Sequence, residues 1–272
     1  MEDYALLIVT IIVLSGAALL VWRAAAGPAR STGRRILRAT LALVVALVIT
    51  AFGAYQLMSS RTFQLAGDLV PRVETSEKVV ALTFDDGPTP EYTDEVLATL
   101  RKYDVPATFY LTGHDSEQNT ASLQAIVAAG HELGNHTYDH PRLVFLSRAA
   151  VADEIERTDA VFRAAGYDQT TTVRPPGCKR LLTAPLYLSG TSRTTVTWDL
   201  EPDSIAEIAE DSDAMVAYVV DGVQPGSIVL MHVMYPSRAA SREALPRIIR
   251  QLKQDGYRFA TVSELLALRD KS

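Results

Sequence analysis

Short apolar runs alternate with amphipathic, helix-like segments from Lys78 to the C-terminal end of the chain. The runs are apolar throughout rather than at every second position, which is typical of parallel strands covered by helices. Strands are predicted at 79–84, 107–112, 131–135, 171–174, 194–198, 227–231 and 258–262. About seven strand–helix units favour an α/β fold of the (β/α) barrel type, closed or nearly closed, over a doubly wound sheet.

Two longer apolar runs without a charged residue precede this region, at 4–22 and 39–58. Each is long enough to cross a bilayer, since a helix needs about 20 apolar residues to span the hydrocarbon core. The stretch between them, 23–38, contains five arginines, and a short basic loop of this kind is retained in the cytoplasm. We therefore expect residues 1–58 to form a two-helix transmembrane hairpin with a basic cytoplasmic loop.

The stretch 59–77 is polar and is predicted to be a tether, which leaves 78–272 as an extracytoplasmic domain at the cell membrane. A buried core hairpin is an alternative to the membrane hairpin, but the arginine cluster disfavours it. A cleaved signal peptide is a second alternative, with the basic 34–38 as its start and processing near 51–53. With either a membrane hairpin or a cleaved signal peptide, residues after Met58 are expected to lie outside the cytoplasm.

The composition describes a folded protein, because 48% of its 272 residues are hydrophobic and 21% are charged. A net charge of −6 gives no electrostatic footprint for nucleic acid, so that class of partner is not expected. The single cysteine, Cys178, cannot form a disulfide within the chain. We expect it to be a small pocket-lining residue rather than a reactive thiol.

Reactive side chains recur at one kind of position, at or just past the C-terminal ends of the predicted strands. In parallel α/β folds this carboxyl end of the strands is where active sites lie. The residues are Asp85, Asp86, His136, His140, Arg174, Asp199 and His232. Their repeated placement predicts that one rim of the barrel carries the chemistry.

His136 and His140 are four positions apart, so one helical turn or a tight loop directs both rings the same way. Two neutral imidazoles and a carboxylate form a three-ligand site with an open position, which is typical of catalytic divalent-metal sites. A pair of solvated histidines is the alternative for an isolated motif of this type. The acidic pair on the same rim favours the metal site.

Asp85 and Asp86 stand in the sequence DDGP, which is also the chemistry of a plain turn. Two carboxylates at a strand end can instead serve a metal and a water molecule, provided that a cation or an arginine compensates their charge. Arg174 is a candidate for that arginine. His232 ends an apolar strand, where a core histidine is the alternative, but opposite an aspartate base it fits a general acid.

Four motifs resemble those of the polysaccharide deacetylases with a NodB-homology domain, which form carbohydrate esterase family four. They are TFDDGP at 83–88, HTYDH at 136–140, RPP at 174–176 and LMH at 230–232. The likeness extends over 78–268, nearly all of the predicted extracytoplasmic part.

The resemblance implies a distorted (β/α) barrel with Asp85 as catalytic base and His232 as general acid. The metal ligands that it implies are Asp86, His136 and His140. It further implies that Arg174 orients Asp85, and that Trp198 and Leu230 lie at the substrate.

The chain departs from the family pattern at two motifs. Gly177 and a cysteine follow RPP where the family has an aromatic residue and then glycine, so an aromatic wall for the sugar is missing. The Gly177 N–H can still donate to a developing oxyanion. The fourth motif reads WDLEPDS from Trp198 and lacks a second tryptophan. Asp203 is expected to tune His232, with Glu201 as its rival.

These features predict a membrane-anchored, metal-dependent hydrolase that removes N-acetyl groups from a cell-envelope or extracellular glycan, peptidoglycan or chitin-like, and releases acetate. Two histidines and one aspartate favour Zn²⁺, although Co²⁺, Ni²⁺ and Mn²⁺ bind similar sites. The expected partners are the N-acetylated glycan and the membrane. The alternatives are an inactive glycan-binding or envelope-scaffold protein on the same fold, and a hydrolase of another amide or ester.

Overall fold

The computed structural model describes residues 16, 17, 19, 21–23 and 32–269. The chain divides into two compact units, Met1–Gln64 and Leu65–Ser272. The candidate chemistry lies entirely in the second unit.

The first unit contains helix α1, Thr32–Ser59, in which no residue is buried. A window of 18 residues in α1 has a mean hydropathy of 2.2, so this helix is long and apolar enough to cross a bilayer. The Thr50 hydroxyl donates to Ala46 O at 2.8 Å, which satisfies it within the helix. The second expected span thus falls on a helix, whereas most of the first, 4–22, lies outside the described residues.

Seven strands are found in the described part of the second unit, and all pairings between them are parallel. They are β1 Leu69–Val70, β2 Val79–Asp85, β3 Thr108–Leu111, β4 Glu132–Asn135, β5 Thr195–Val196, β6 Ile228–His232 and β7 Arg258–Phe259. The order β4-β3-β2-β6 places β2 in the middle, β7 pairs with β2, and β1 pairs with β5. The expected α/β fold with parallel strands is confirmed.

Single parallel bridges continue the strand ladder from β4 round to β6. They join Asn135 to Val173, Val173 to Thr195, and Leu200 to Val229. The strand predicted at 171–174 is therefore reduced to one bridge position. The two prolines that follow it have no N–H to donate, which ends the ladder there.

Helices connect the strands and cover the outside of the ladder. They are α2 Pro90–Tyr103, α3 Gly113–Gln118, α4 Thr120–Ala128, α5 Arg148–Ala164, α6 Thr183–Gly190, α7 Ser212–Gly222, α8 Ala239–Gln254 and α9 Val262–Arg269. In α8 the buried residues Leu245, Ile248 and Leu252 recur every three or four positions, so one face of the helix packs on the sheet.

Alternate residues of β2 face two different hydrophobic cores. The outer set, which packs with the helices, is Val80, Leu82 and Phe84; the inner set is Val79 and Ala81. Asp85 has the parity of the inner set, since successive strand side chains point to opposite faces. On β6, His232 has the parity of Leu230, which belongs to the same inner core. Strand alternation therefore brings Asp85 and His232 to one end of the inner core.

The stretch predicted as a tether is partly built into the second unit. It contains β1, and Val73 is buried and donates its N–H to Gly226 O at 3.0 Å. A Cβ on Gly226 would stand 1.8 Å from Val73 O, so only glycine allows this approach. The structure thus differs from the predicted boundary, because the compact unit starts at Leu65.

Candidate active site

Asp85 is the last residue of β2 and lies in register with Tyr110 of β3 and His232 of β6. It is almost fully buried, and Arg174 Nη1 donates to its Oδ1 at 2.6 Å. Burial raises the pKa of Asp85, and the charge of Arg174 opposes that rise. The hydrogen bond from Arg174 thus fixes the orientation of the carboxylate, and burial makes it more basic than a solvated aspartate.

Arg174 is fully buried, and its guanidinium donates to four acceptor atoms. Its guanidinium donates to Thr83 Oγ1 at 2.9 Å, to Val196 O at 3.3 Å and to Thr197 O at 3.0 Å, besides Asp85. It also lies 4.0 Å from the centre of the Tyr110 ring. A buried charge requires such partners, and they give Arg174 a single position.

Asp86, His136 and His140 converge next to this pair. Asp86 Oδ1 lies 3.4 Å from His140 Nε2 and 3.8 Å from His136 Nε2, and the three ligand atoms lie within 4.8 Å of one another. The carboxyl end of β2 and the loop after β4 supply these residues. The sequence motifs that predict a shared metal site are therefore adjacent in space.

The chemistry of these donors fits a divalent metal ion. His136 Nδ1 lies 2.7 Å from Arg174 O, and a carbonyl only accepts, so the ring proton is on Nδ1 and the Nε2 lone pair faces Asp86. Burial lowers the pKa of His136 to about 3, which keeps the ring neutral, as a ligand must be. The His140 side chain is 44% exposed against 2% for His136, so the site is open on one side.

His232 is paired with Asp203 rather than with Glu201. Asp203 Oδ1 lies 3.2 Å from His232 Nδ1, and its Oδ2 accepts the His232 backbone N–H. Glu201 instead accepts from Trp198 Nε1 at 2.8 Å and from the Ser204 hydroxyl at 2.5 Å. Of the two acidic residues that the sequence leaves open, the structure places Asp203 at the histidine.

Two residues expected at the substrate are buried, and one residue expected at the rim lies at the other end of a strand. Leu230 and Trp198 are 1% and 6% exposed and belong to the inner core below the site. The Asp199 carboxylate accepts from Ser227 Oγ at 2.6 Å and from Ile228 N–H at 2.8 Å, at the start of β6. Asp199 therefore stabilises a strand end remote from the catalytic rim, because these partners lie at the opposite end of β6 from His232.

Gly177 lies on the surface, in a single turn over Pro176–Cys178 with a φ of 54°. Cys178 is buried, and Arg180 Nη1 lies 3.0 Å from its carbonyl oxygen and 3.1 Å from its Sγ. The turn therefore presents backbone, and not an aromatic side chain, where the third motif ends.

A groove of about 350 Å³ opens beside the metal-ligand candidates and was not expected from the motifs. Its lining residues include Asp86, His140, Tyr138, His114, Asp115 and Tyr235. Tyr235 donates its hydroxyl to Asp115 Oδ2 at 3.0 Å, which joins the loop after β6 to α3. Asp115 comes shortly after the strand predicted at 107–112, so the rule that finds Asp85 also points to Asp115.

The comparisons with known proteins agree with this geometry. A family model described as Polysaccharide deacetylase matches residues 72–189. A Peptidoglycan-N-acetylglucosamine deacetylase of Bacillus cereus is 34% identical over 198 residues, which cover 71% of this chain and 91% of that protein. The chain belongs to the polysaccharide deacetylase family. The resemblance drawn from the four motifs is thereby confirmed.

Other members of the polysaccharide deacetylase family differ in length and in activity. The Peptidoglycan-N-acetylmuramic acid deacetylase PdaC of Bacillus subtilis is 33% identical over 71% of this chain, but the match spans only 40% of that protein. A solved peptidoglycan N-acetylglucosamine deacetylase has a TM-score of 0.67 at 30% identity and covers 71% of this chain and 90% of its own. A pseudoenzyme of the same family from Bacillus anthracis has a TM-score of 0.66 at 30% identity, covering 74% and 69%. Backbone similarity therefore does not distinguish active from inactive members of the family. The side chains at the site have to make that distinction.

Proposed function

We propose that this protein is a membrane-anchored, metal-dependent N-deacetylase of peptidoglycan or another N-acetylated envelope glycan. We further propose that its parallel strands, with the bridges between them, form the distorted (β/α) barrel of the family. One observation carries the proposal: a three-ligand cluster lies beside a buried carboxylate held by arginine, and the strand partner of that carboxylate is a histidine held by aspartate. These are the groups that hydrolysis of an acetamide requires. The relatives named as peptidoglycan deacetylases support this choice of substrate.

Asp86, His136 and His140 would hold the divalent ion, and the donor set favours Zn²⁺. When bound there, the ion supplies Lewis acidity towards the acetamide carbonyl and towards a water molecule.

Asp85 is proposed to act as general base. Its Oδ1 is engaged by Arg174, which leaves Oδ2, 3.6 Å from His136 Nε2, on the side of the metal-ligand candidates. From there it can take a proton from the attacking water. Burial raises its pKa against the opposing charge of Arg174, and a base with a pKa nearer the working pH is more effective.

His232 is proposed to donate a proton to the leaving amine. Asp203 binds Nδ1, which leaves Nε2 as the nitrogen that delivers the proton. Burial disfavours the charged ring, but the hydrogen bond and the charge of Asp203, with Asp85 and Asp86, raise the pKa of His232 to about 9. The ring is therefore protonated at neutral pH. The Gly177 N–H is proposed as a donor to the developing oxyanion, because the exposed turn leaves room for a ligand beside it.

Helix α1 is proposed to anchor the protein as part of a two-helix hairpin, with the catalytic unit outside the cytoplasm. Support comes from its length and hydropathy, and from the arginines that precede its apolar part. A signal peptide has similar composition, and N-terminal sequencing of protein from the membrane fraction distinguishes the two: an intact N-terminus supports the hairpin, and a start near residue 52 refutes it.

An inactive glycan-binding role is the second candidate, and the similarity to a pseudoenzyme favours it. Against it, this chain keeps the three grouped ligand candidates and, in register on neighbouring strands, the proposed base and acid.

Acetate release tests the proposal. The protein is incubated with N-acetylglucosamine oligomers and with peptidoglycan, with and without chelator, and Zn²⁺ is then added back. We expect release that the chelator abolishes and Zn²⁺ restores. Binding of glycan without acetate release, in a sample shown to contain the metal, would favour the inactive candidate. Release from esters but not from N-acetylated oligomers would favour a different hydrolase.

A further inference from the structure

The histidine loop, residues 136–140, carries two of the three ligand candidates and has a backbone that needs support. Thr137 and His140 have φ values of 69° and 57°. Residues other than glycine adopt this left-handed conformation only where the surrounding structure imposes it. The contacts of the loop backbone therefore decide where the histidine rings point.

Two side chains bind three consecutive amides of the histidine loop. Asn135 Oδ1 accepts the Thr137 N–H at 2.9 Å. Glu154 Oε2, on α5, accepts the Tyr138 N–H at 2.8 Å and the Asp139 N–H at 2.9 Å. One carboxylate oxygen thus bridges two neighbouring amides, and an ionised acceptor makes such bonds stronger than neutral ones.

The carbonyl groups of the histidine loop are bound from another element. The N–H groups of Gly113 and His114, the first two of α3, donate to Thr137 O at 2.9 Å and to Tyr138 O at 3.0 Å. The Thr137 hydroxyl takes no part, since it is buried without a hydrogen-bond partner in the described structure. Among the contacts described for the loop backbone, Glu154 supplies the acidic side chain, whereas Glu117 binds the loop through the Tyr138 hydroxyl.

The two histidines differ in how their rings are fixed. The His136 ring is buried and its Nδ1 is bound to Arg174 O. The His140 ring is partly exposed, and no group in residues 32–269 is hydrogen-bonded to it, although it approaches Asp86. Metal-binding histidines usually have a partner on the second nitrogen that orients the ring. For His140 that task falls to the loop backbone.

We propose that Glu154 is a positioning residue of the metal site: by binding the amides of Tyr138 and Asp139 it fixes the histidine loop and keeps His140 opposite Asp86. Glu154 would touch neither metal nor substrate. The inference rests on the metal site of the proposed function and not on the reaction that follows.

Zinc affinity, measured by chelator competition, tests this role. Glu154→Ala is expected to bind zinc about 10–100-fold more weakly than the wild type, the range found for partners outside the ligand shell. Glu154→Gln keeps an oxygen that can accept both amides, so it is expected to retain most of the affinity. Asp153→Ala is the matched control, because that neighbouring carboxylate is exposed and binds no loop amide; it reaches the loop only through Arg157, which contacts the side chains of Tyr138 and Asp139.

The visible spectrum of the Co²⁺-loaded protein gives a second readout that a general loss of stability would not move. The spectrum of Glu154→Ala is expected to change with the ligand geometry, and those of Glu154→Gln and Asp153→Ala to match the wild type. Wild-type zinc affinity in Glu154→Ala would overturn the inference, as would an equal loss in Glu154→Gln. If Glu154→Ala does not fold, Glu154→Asp, one methylene shorter, is used instead, and full affinity there would also overturn it. A wild-type protein that binds no zinc would instead refute the metal site of the proposed function.

Discussion

His232 Nδ1 lies 3.2 Å from Asp203 Oδ1, while the other oxygen of the same carboxylate accepts the His232 backbone N–H at 2.5 Å. The Ser241 hydroxyl adds a bond to Oδ2 at 3.1 Å. Because both oxygens are engaged, the carboxylate cannot turn away from the ring. The pair therefore controls when His232 is charged.

Asp203→Asn is expected to lower the pH at which activity is lost. Burial still disfavours the charged ring, and without the Asp203 charge the pKa of His232 falls from about 9 towards or below its usual value of ~6.5. A general acid must be protonated, so kcat/KM should decline at lower pH in the variant than in the wild type. The measurement is the pH profile of kcat/KM for acetate release.

Glu201→Gln is the comparison for this profile: the Glu201 carboxylate lies within 4.8 Å of His232, but it is hydrogen-bonded to Trp198 and Ser204 and not to the histidine. Its decline should shift less than that of Asp203→Asn, and an unchanged profile in Asp203→Asn would contradict the assignment. A raised folded-state pKa also means that His232 contributes stability below pH ~6.5 that is lost as pH rises through about 9.

Substitutions of the adjacent carboxylates Asp85 and Asp86 should impair the protein in different ways. Asp85→Asn is expected to lower kcat by about 10²–10⁴ while metal content is retained, since Asp85 is proposed as a base. The main effect expected of Asp86→Asn is a lower zinc affinity, because Asp86 Oδ1 faces both His136 and His140. Acetate release and metal content are measured on the same samples. Full activity in Asp85→Asn would show that the proposed mechanism is wrong.

Arg174→Met should destabilise the fold as well as the site. The change leaves Asp85 buried without its charge partner, and breaking a buried ion pair costs about 3–5 kcal/mol in the free energy of unfolding. Combining Arg174→Met with Asp85→Asn should recover part of that loss. Arg258→Met, at the exposed ion pair with Glu77, should have little effect on urea denaturation. Equal midpoints for Arg258→Met and Arg174→Met would argue against this account.

Truncation should locate the start of the catalytic unit. A chain that begins at Leu65 keeps β1, its pairing with β5, and the Val73–Gly226 bond, and is expected to fold cooperatively. A chain that begins at Lys78 exposes the edge of β5 and part of the inner core, and is expected to melt at lower temperature or to aggregate. Circular dichroism melts of both chains provide the comparison. Equal melting temperatures for the two chains would instead support the tether predicted at 59–77.

Local patterns predict much of this site because they depend on short-range geometry. A strand side chain alternates in direction with period two, so apolar runs that end in Asp85 or His232 direct those residues inward at a common rim. The spacing of His136 and His140 likewise needs only one loop. The same rule misassigns Asp199, because the polypeptide after β5 turns its carboxylate to the start of β6 rather than to the rim.

By itself, the sequence determined the alternation of strands and helices and the family, and it identified the residues that are proposed as ligands, base and acid. These follow from periodicity and from motifs a few residues long. Only the tertiary structure decided that Asp203 and not Glu201 supports His232, that residues before Lys78 join the sheet, and that Glu154 holds the histidine loop. Each of these depends on which segments meet across the fold, and chain-distant contacts leave no period in the local sequence.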